Sequence, residues 1–121
     1  MALHHDLPIY RTGEKLFAMG IDLQQNMPRA VKRSLGEKIT QHCMDMLELM
    51  ALANATRGAD RVQQIHKLLT HQRTLTVLLR VAHGKRAIAT RHWAEAVHLL
   101  ESIGKQAGGW LKSTTNRAPA A

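Results

Sequence analysis

The sequence predicts an all-α protein, an antiparallel up-down four-helix bundle, on three observations. Apolar residues recur at three- and four-residue steps along nearly the whole chain. No segment alternates with the period of two that a half-buried strand requires. Proline and glycine clusters divide the chain into four amphipathic stretches, and the short connections between them put successive helices antiparallel.

The first helix is expected over residues 7–26. Asp6 is a candidate cap, and Pro8 suits a first turn, where its missing N–H costs nothing. Ile9, Leu16, Phe17 and Ile21 form its stripe, with Gly13 and Gly20 on the same side. It stops near Asn26-Met27, because the residue before Pro28 is pushed out of the helical region. The second is expected over 28–56, with Pro28 at its first position. Its apolar face is Val31, Leu35, Ile39, Cys43, Met46, Leu49, Met50 and Ala53.

Arg57-Gly58-Ala59 breaks that pattern, and Asp60 with Gln63 reads as a capping box opening a third helix over 60–83. Val62, Ile65, Leu68, Leu69, Leu75, Leu78, Leu79 and Ala82 line it. The turn His83-Gly84-Lys85-Arg86 ends it, and Thr90 is a candidate cap for a fourth helix over 90–112. Trp93, Val97, Leu100, Ile103, Ala107, Trp110 and Leu111 form the last stripe. Residues 1–113 therefore read as a single domain, and 114–121, which lack periodicity, as a disordered tail. Gly13, Gly20, Gly36, Gly104 and Gly108 each cost about 1 kcal/mol inside a helix, so close approach of helices, within the bundle or between protomers, is expected there.

Composition narrows the function. In 121 residues, 17 lysines and arginines face 9 acids, a net charge of +8. A surplus of that size, with a sequence pI of about 10.4, attracts polyanions, of which nucleic acid is the usual one in a cell. The single Cys43 excludes an internal disulfide. No stretch approaches the roughly 18 apolar residues of a membrane span, and the start has no signal-peptide pattern, so no membrane association and a cytoplasmic location are expected.

Catalytic constellations do not emerge. The histidine pairs His4/His5, His66/His71 and His92/His98 lack the three- or four-residue spacing of a helical metal site, and Glu101 beside His98 completes only two ligands. No metal and no cofactor are expected. Cys43 falls on an apolar face, and neither a nucleophile elbow nor a phosphate loop is present. The carboxylates are few, and Glu37 is placed to pair with Arg33 at i, i+4. The chain reads as no enzyme.

The cations are grouped instead. Between Asp60 and Glu95 there is no acid, while Arg61, Lys67, Arg73, Arg80, Lys85, Arg86 and Arg91 all fall there. Seven-residue spacing aligns Arg73 with Arg80, and His66 extends the row, flanking the apolar stripe. A second group, Arg29, Lys32, Arg33 and Lys38, opens helix two against Glu37 alone. A solvated face mixes signs, and arginine's planar fork suits phosphate. With Tyr10, Phe17, Trp93 and Trp110 as the only aromatics of the Phe, Tyr and Trp type, backbone-directed, salt-sensitive binding fits better than stacked single-strand readout.

In this order the motifs resemble a known family. Leu7-Pro8-Ile9-Tyr10, Met27-Pro28-Arg29, Leu35-Gly36-Glu37, Leu78-Leu79-Arg80-Val81-Ala82 and the run Ile103-Gly104-Lys105-Gln106-Ala107-Gly108-Gly109-Trp110-Leu111-Lys112-Ser113 carry the likeness over residues 7–113. The chain resembles the small four-helix bundle family containing the accessory variability determinant (Avd) of diversity-generating retroelements and proteins encoded in intervening sequences of bacterial large-subunit ribosomal RNA. The resemblance implies a ring-shaped homo-oligomer, a pentamer, with a basic surface. It implies a non-catalytic partner of the retroelement's reverse transcriptase and template RNA that supports mutagenic cDNA synthesis. Arg29, Arg73 and Arg80 are carried over as candidates for that surface, and charge grouping adds Lys32, Arg33, Lys85, Arg86 and Arg91. The alternative is an RNA-associated structural bundle of the intervening-sequence type without a polymerase partner. Helix one departs from expectation in having few large hydrophobes, with Gly13, Ala18 and Gly20 among its positions.

Overall fold

The structure, a computed structural model, describes residues 3–117. Every regular element among them is helical. After a short 3-10 turn at His4–Asp6 come α1 (Pro8–Asn26), α2 (29–55), α3 (Gly58–Gly84) and α4 (Thr90–Arg117). The helix α2 is continuous but composite: Arg29–Val31, one turn of π-helix at Lys32–Gly36, then Glu37–Ala55. The packed neighbours are α1 with α2, α2 with α3, α3 with α4, and α4 back to α1. Paired contacts run in opposite chain directions for each neighbouring pair, so the bundle is antiparallel. Gly13 faces Met50 and Gly20 faces Ile39, while Arg61 meets Ala53 and His71 meets His42. Gln72 meets Leu100 and His83 meets Thr90. Thr12 meets Gln106, while Leu23 and Asn26 line one cavity with Ala87 and Ile88.

One hydrophobic cluster draws on all four helices, through Leu16 and Leu23, Ile39 and Met50, Ile65 and Leu75, and Leu100 and Ile103. The stripe of α1 is Ile9, Gly13, Leu16, Gly20 and Leu23, so the inward face turns past Ile21, which is exposed. Small residues at two of those positions let α2 approach. A Cβ on Gly13 would stand 2.9 Å from Leu47 Cδ2, and one on Gly20 would stand 3.4 Å from Cys43 Sγ. The shortage of large hydrophobes in α1 is thus the form of its packing. Gly108, by contrast, faces open space among the described residues.

The π-turn moves the phase of α2. Leu35, expected on the stripe, is half-buried, and Gly36 takes the inward position against Gln24 and Met27. A π-turn inserts an extra residue and rotates the helical turn before it relative to the turns after it. Thr40 Oγ1 closes the joint, 2.6 Å from Gln24 Oε1 and 3.0 Å from the Gly36 carbonyl oxygen.

The helix ends differ from the sequence expectation in five places, one of them Thr90, which is the first residue of α4 with its hydroxyl 3.0 Å from His83 Nε2 and not the cap before it. Asp6 does not cap α1; Leu7 holds that position without a side-chain hydrogen bond, and Pro8 opens the helix. Pro28 precedes the first turn of α2 as its cap instead of entering it. Asp60 is inside the first turn of α3, which starts two residues earlier at Gly58, where glycine accommodates a φ of +55° at the helix entry. The fourth helix does not stop at 112 but continues to Arg117, so residues 114–117 correct the expected disordered tail; 118–121 lie outside the described residues. Thr114 is buried, and its hydroxyl donates to the Trp110 carbonyl at 2.8 Å, so packing overrides a weak helix former.

Candidate nucleic-acid interface

Antiparallel order brings together what the chain separates. The end of α1, the start of α2, the end of α3 and the start of α4 share one end of the bundle. Arg29, Lys32 and Arg33 occupy the opening turns of α2, Arg80 the penultimate turn of α3, Lys85 and Arg86 the following turn, and Arg91 the first turn of α4. Seven of the eight candidate cations therefore stand at one end, from two groups about fifty residues apart in sequence. Arg73 lies about two turns further along α3 toward the middle.

All of these are exposed except Lys32, which is half-buried. Among the described residues, Arg33 is the only one of the eight that reaches a carboxylate, Glu37 at 3.9 Å, and both side chains are largely exposed. That pair is worth a few tenths of a kcal/mol at most. Arg73 has only a long contact of 3.5 Å to Thr70 Oγ1. Arg73 and Arg80 stand on the outward face of α3 with exposed Val77 and Val81 beside them, further from the core than the flank expected from spacing.

Two local features oppose stability and favour a cationic surface. The first turns of α2 and α4 hold no acid, while Arg29 and Arg91 are in them. The positive end of a helix dipole disfavours cations there and attracts anions such as phosphate. Arg86 has a φ of +59°, the left-handed region in which non-glycine residues are strained. It occupies the position after the α3 cap where glycine is usual.

Arg61, counted with the acid-free run, has another task. Its Nε donates to the Ala53 carbonyl at 2.8 Å and its Nη2 to that of Asn54 at 3.2 Å, tying off the C-terminal carbonyls of α2. The guanidinium also lies 5.7 Å from the Trp110 ring centroid. His83 stacks on Trp93 with centroids 4.3 Å apart and planes 7° from parallel. Both tryptophans thus have a ring face covered by the chain itself.

Spacing along single helices missed one arrangement. His42 and His71, on α2 and α3, bring their Nδ1 atoms within 2.8 Å, and Asp45 Oδ2 is 4.0 Å from His71 Nδ1. Burial, with His71 and Lys38 nearby, lowers the pKa of His42 against the opposing pull of Asp45. His42 and His71 are 29 residues apart, so no local motif announces them. Cys43, next to His42, is buried, and that burial pushes its thiol up to about 12. It cannot supply a thiolate nucleophile near neutral pH.

No helix among the described residues is long and apolar enough to cross a membrane. A family model described as bAvd-like matches residues 9–114 of the chain. No curated protein matches it.

Proposed function

The chain belongs to the bAvd-like family, and from that premise we propose that it is a basic accessory protein of a diversity-generating retroelement. It binds the template RNA and associates with the reverse transcriptase, which supplies the chemistry, and so supports mutagenic cDNA synthesis. Its kind is accessory and non-catalytic, in keeping with the Avd protein to which it is similar.

The observation that carries this reading is the convergence of Arg29, Lys32, Arg33, Arg80, Lys85, Arg86 and Arg91 on one bundle end with, among the described residues, a single carboxylate engaged by them. Cations so placed neutralise phosphates and release condensed counterions, which gives affinity that falls steeply with salt. Val77 and Val81, exposed beside Arg73 and Arg80, add the apolar component that a protein partner uses. In a homo-oligomeric ring, a pentamer in this proposal, symmetry repeats the patch and makes a continuous cationic surface in the cytoplasm.

RNA binding measured against salt tests the reading. Replacing Arg73 and Arg80 together by alanine should weaken binding and reduce the salt slope by about one for each phosphate that is no longer neutralised. Unchanged affinity and slope would remove that row from the interface. Binding to RNA without capture of the reverse transcriptase encoded beside it would favour a structural RNA-associated bundle of the intervening-sequence type. Light scattering on the full chain gives the ring size.

A further inference from the structure

The seam between α2 and α3 carries three donors of metal-ligating type at one level. His42 and Asp45 are one turn apart on α2, and His71 faces them from α3. One donor atom from each lies within 4.8 Å of the others. The two Nδ1 atoms are 2.8 Å apart, with ring centroids at 5.1 Å and planes tilted by 55°. Gln41 Nε2 donates to Asp45 Oδ1 at 2.8 Å, which leaves Oδ2, the oxygen 4.0 Å from His71 Nδ1, free to ligate. An outer hydrogen bond of that kind orients a ligating carboxylate.

We propose that His42, Asp45 and His71 form a binding site for a divalent transition-metal ion, zinc being the best match, with a fourth position open to solvent. Zinc takes imidazole nitrogen and carboxylate oxygen at about 2.0–2.2 Å, and a tetrahedral arrangement then sets donor atoms roughly 3.3 Å apart. The observed separations bracket that value. The two nitrogens must part slightly and the carboxylate must close in, movements that the partly exposed side chains permit by rotation. Two imidazoles with one carboxylate select zinc, nickel or copper over calcium and magnesium, which require more oxygen ligands.

The protons balance. Without metal, the 2.8 Å contact is a hydrogen bond from one Nδ1–H to the other ring's lone pair. Metal binding turns both Nδ1 lone pairs toward the ion, and the displaced proton is carried on Nε2 of the same ring. Lys38 and the overall positive charge work against a cation here. Asp45 is the one compensating charge among the three ligands, which makes it part of the site rather than a bystander. This inference does not rest on the RNA-binding reading.

The test uses the full chain without an affinity tag, stripped with chelator and titrated with zinc chloride against a chromogenic competitor. One zinc per chain is expected, with a higher Tm in the presence of the ion. His42→Ala and His71→Ala should each weaken zinc affinity by at least about tenfold, and Asp45→Asn by about tenfold, on the scale of ligand-shell losses. A His4→Ala/His5→Ala variant should bind as the parent does. Cobalt should give the strong visible ligand-field absorption of a low-coordinate site in the parent and lose it in His71→Ala. Should an alanine variant fail to fold, His71→Gln keeps a polar side chain at the seam and carries the same expectation. Absence of zinc binding at micromolar concentrations, or equal affinity in the parent and the His42 and His71 variants, overturns the proposal.

Discussion

The amide of Ala87 donates to the carbonyl of Ala82 at 2.8 Å, closing the end of α3 in a Schellman turn. Inside that turn the Arg86 amide donates to His83 at 2.9 Å. The motif calls for a left-handed residue between Lys85 and Ala87, and this chain puts a long cation there at a φ of +59°.

Replacing Arg86 by glycine should therefore stabilise the fold by about 1 kcal/mol while weakening RNA binding. Arg86→Ala separates the two effects, since it removes the charge and keeps the strain. Chemical denaturation and salt-dependent RNA binding on both variants check this. A glycine variant that loses stability would mean that the arginine side chain supports the turn.

Arg61 and the pair Arg73/Arg80 should respond oppositely, although all three belong to one acid-free run. Arg61→Ala removes two hydrogen bonds to α2 carbonyls and the contact with Trp110, and should cost about 1–3 kcal/mol of stability. Its effect on RNA affinity should be small. Arg73→Ala with Arg80→Ala should leave the melting midpoint nearly unchanged, because both side chains are exposed, and should lower RNA affinity. Denaturation and binding titrations on the same preparations decide it.

Two helix-interior glycines should give opposite results on substitution by alanine. At Gly36 the added methyl would meet Gln24 Cγ at 2.8 Å, next to the π-turn, so Gly36→Ala should destabilise. At Gly108 the methyl meets nothing within 4 Å among the described residues, so Gly108→Ala should stabilise an isolated bundle by about 1 kcal/mol through helix propensity. If Gly108→Ala instead disrupts assembly in light scattering, the glycine serves a contact between protomers.

Cys43 makes stability fall at high pH. Its thiol stays protonated in the fold up to about 12, whereas in the unfolded chain it ionises from 9.0. The unfolded state therefore binds fewer protons above that value, and the contribution, on the order of 4 kcal/mol, is complete below pH 9 and is lost as pH rises toward 12. Denaturation curves of the parent and Cys43→Ala between pH 8 and about 11 should converge as pH rises. A thiol reagent at neutral pH should modify Cys43 only on unfolding.

Four helices, their approximate limits and most of the core were legible because they depend on local periodicity. Residues that repeat every three or four positions share a face whatever they later pack against. Ile39, Cys43, Met46, Met50 and Ala53 on α2, and Ile65, Leu68, Leu75 and Leu79 on α3, are buried in that pattern. Net charge and the acid-free run are likewise properties of the chain alone, and the ordered motifs were enough to point to the Avd family.

Other features needed the tertiary structure because they join residues distant in sequence or depend on a neighbour's shape. Antiparallel packing carried Arg29 and Arg33 to the same end as Lys85 and Arg91, and sent Arg61 back to tie off α2. A π-turn no periodicity foretold set Gly36 inward in place of Leu35, and burial kept Thr114 helical where propensity favoured an end. His42 met His71 only across a seam. Side-chain period says which face a residue takes, but the partner helix decides what that face meets.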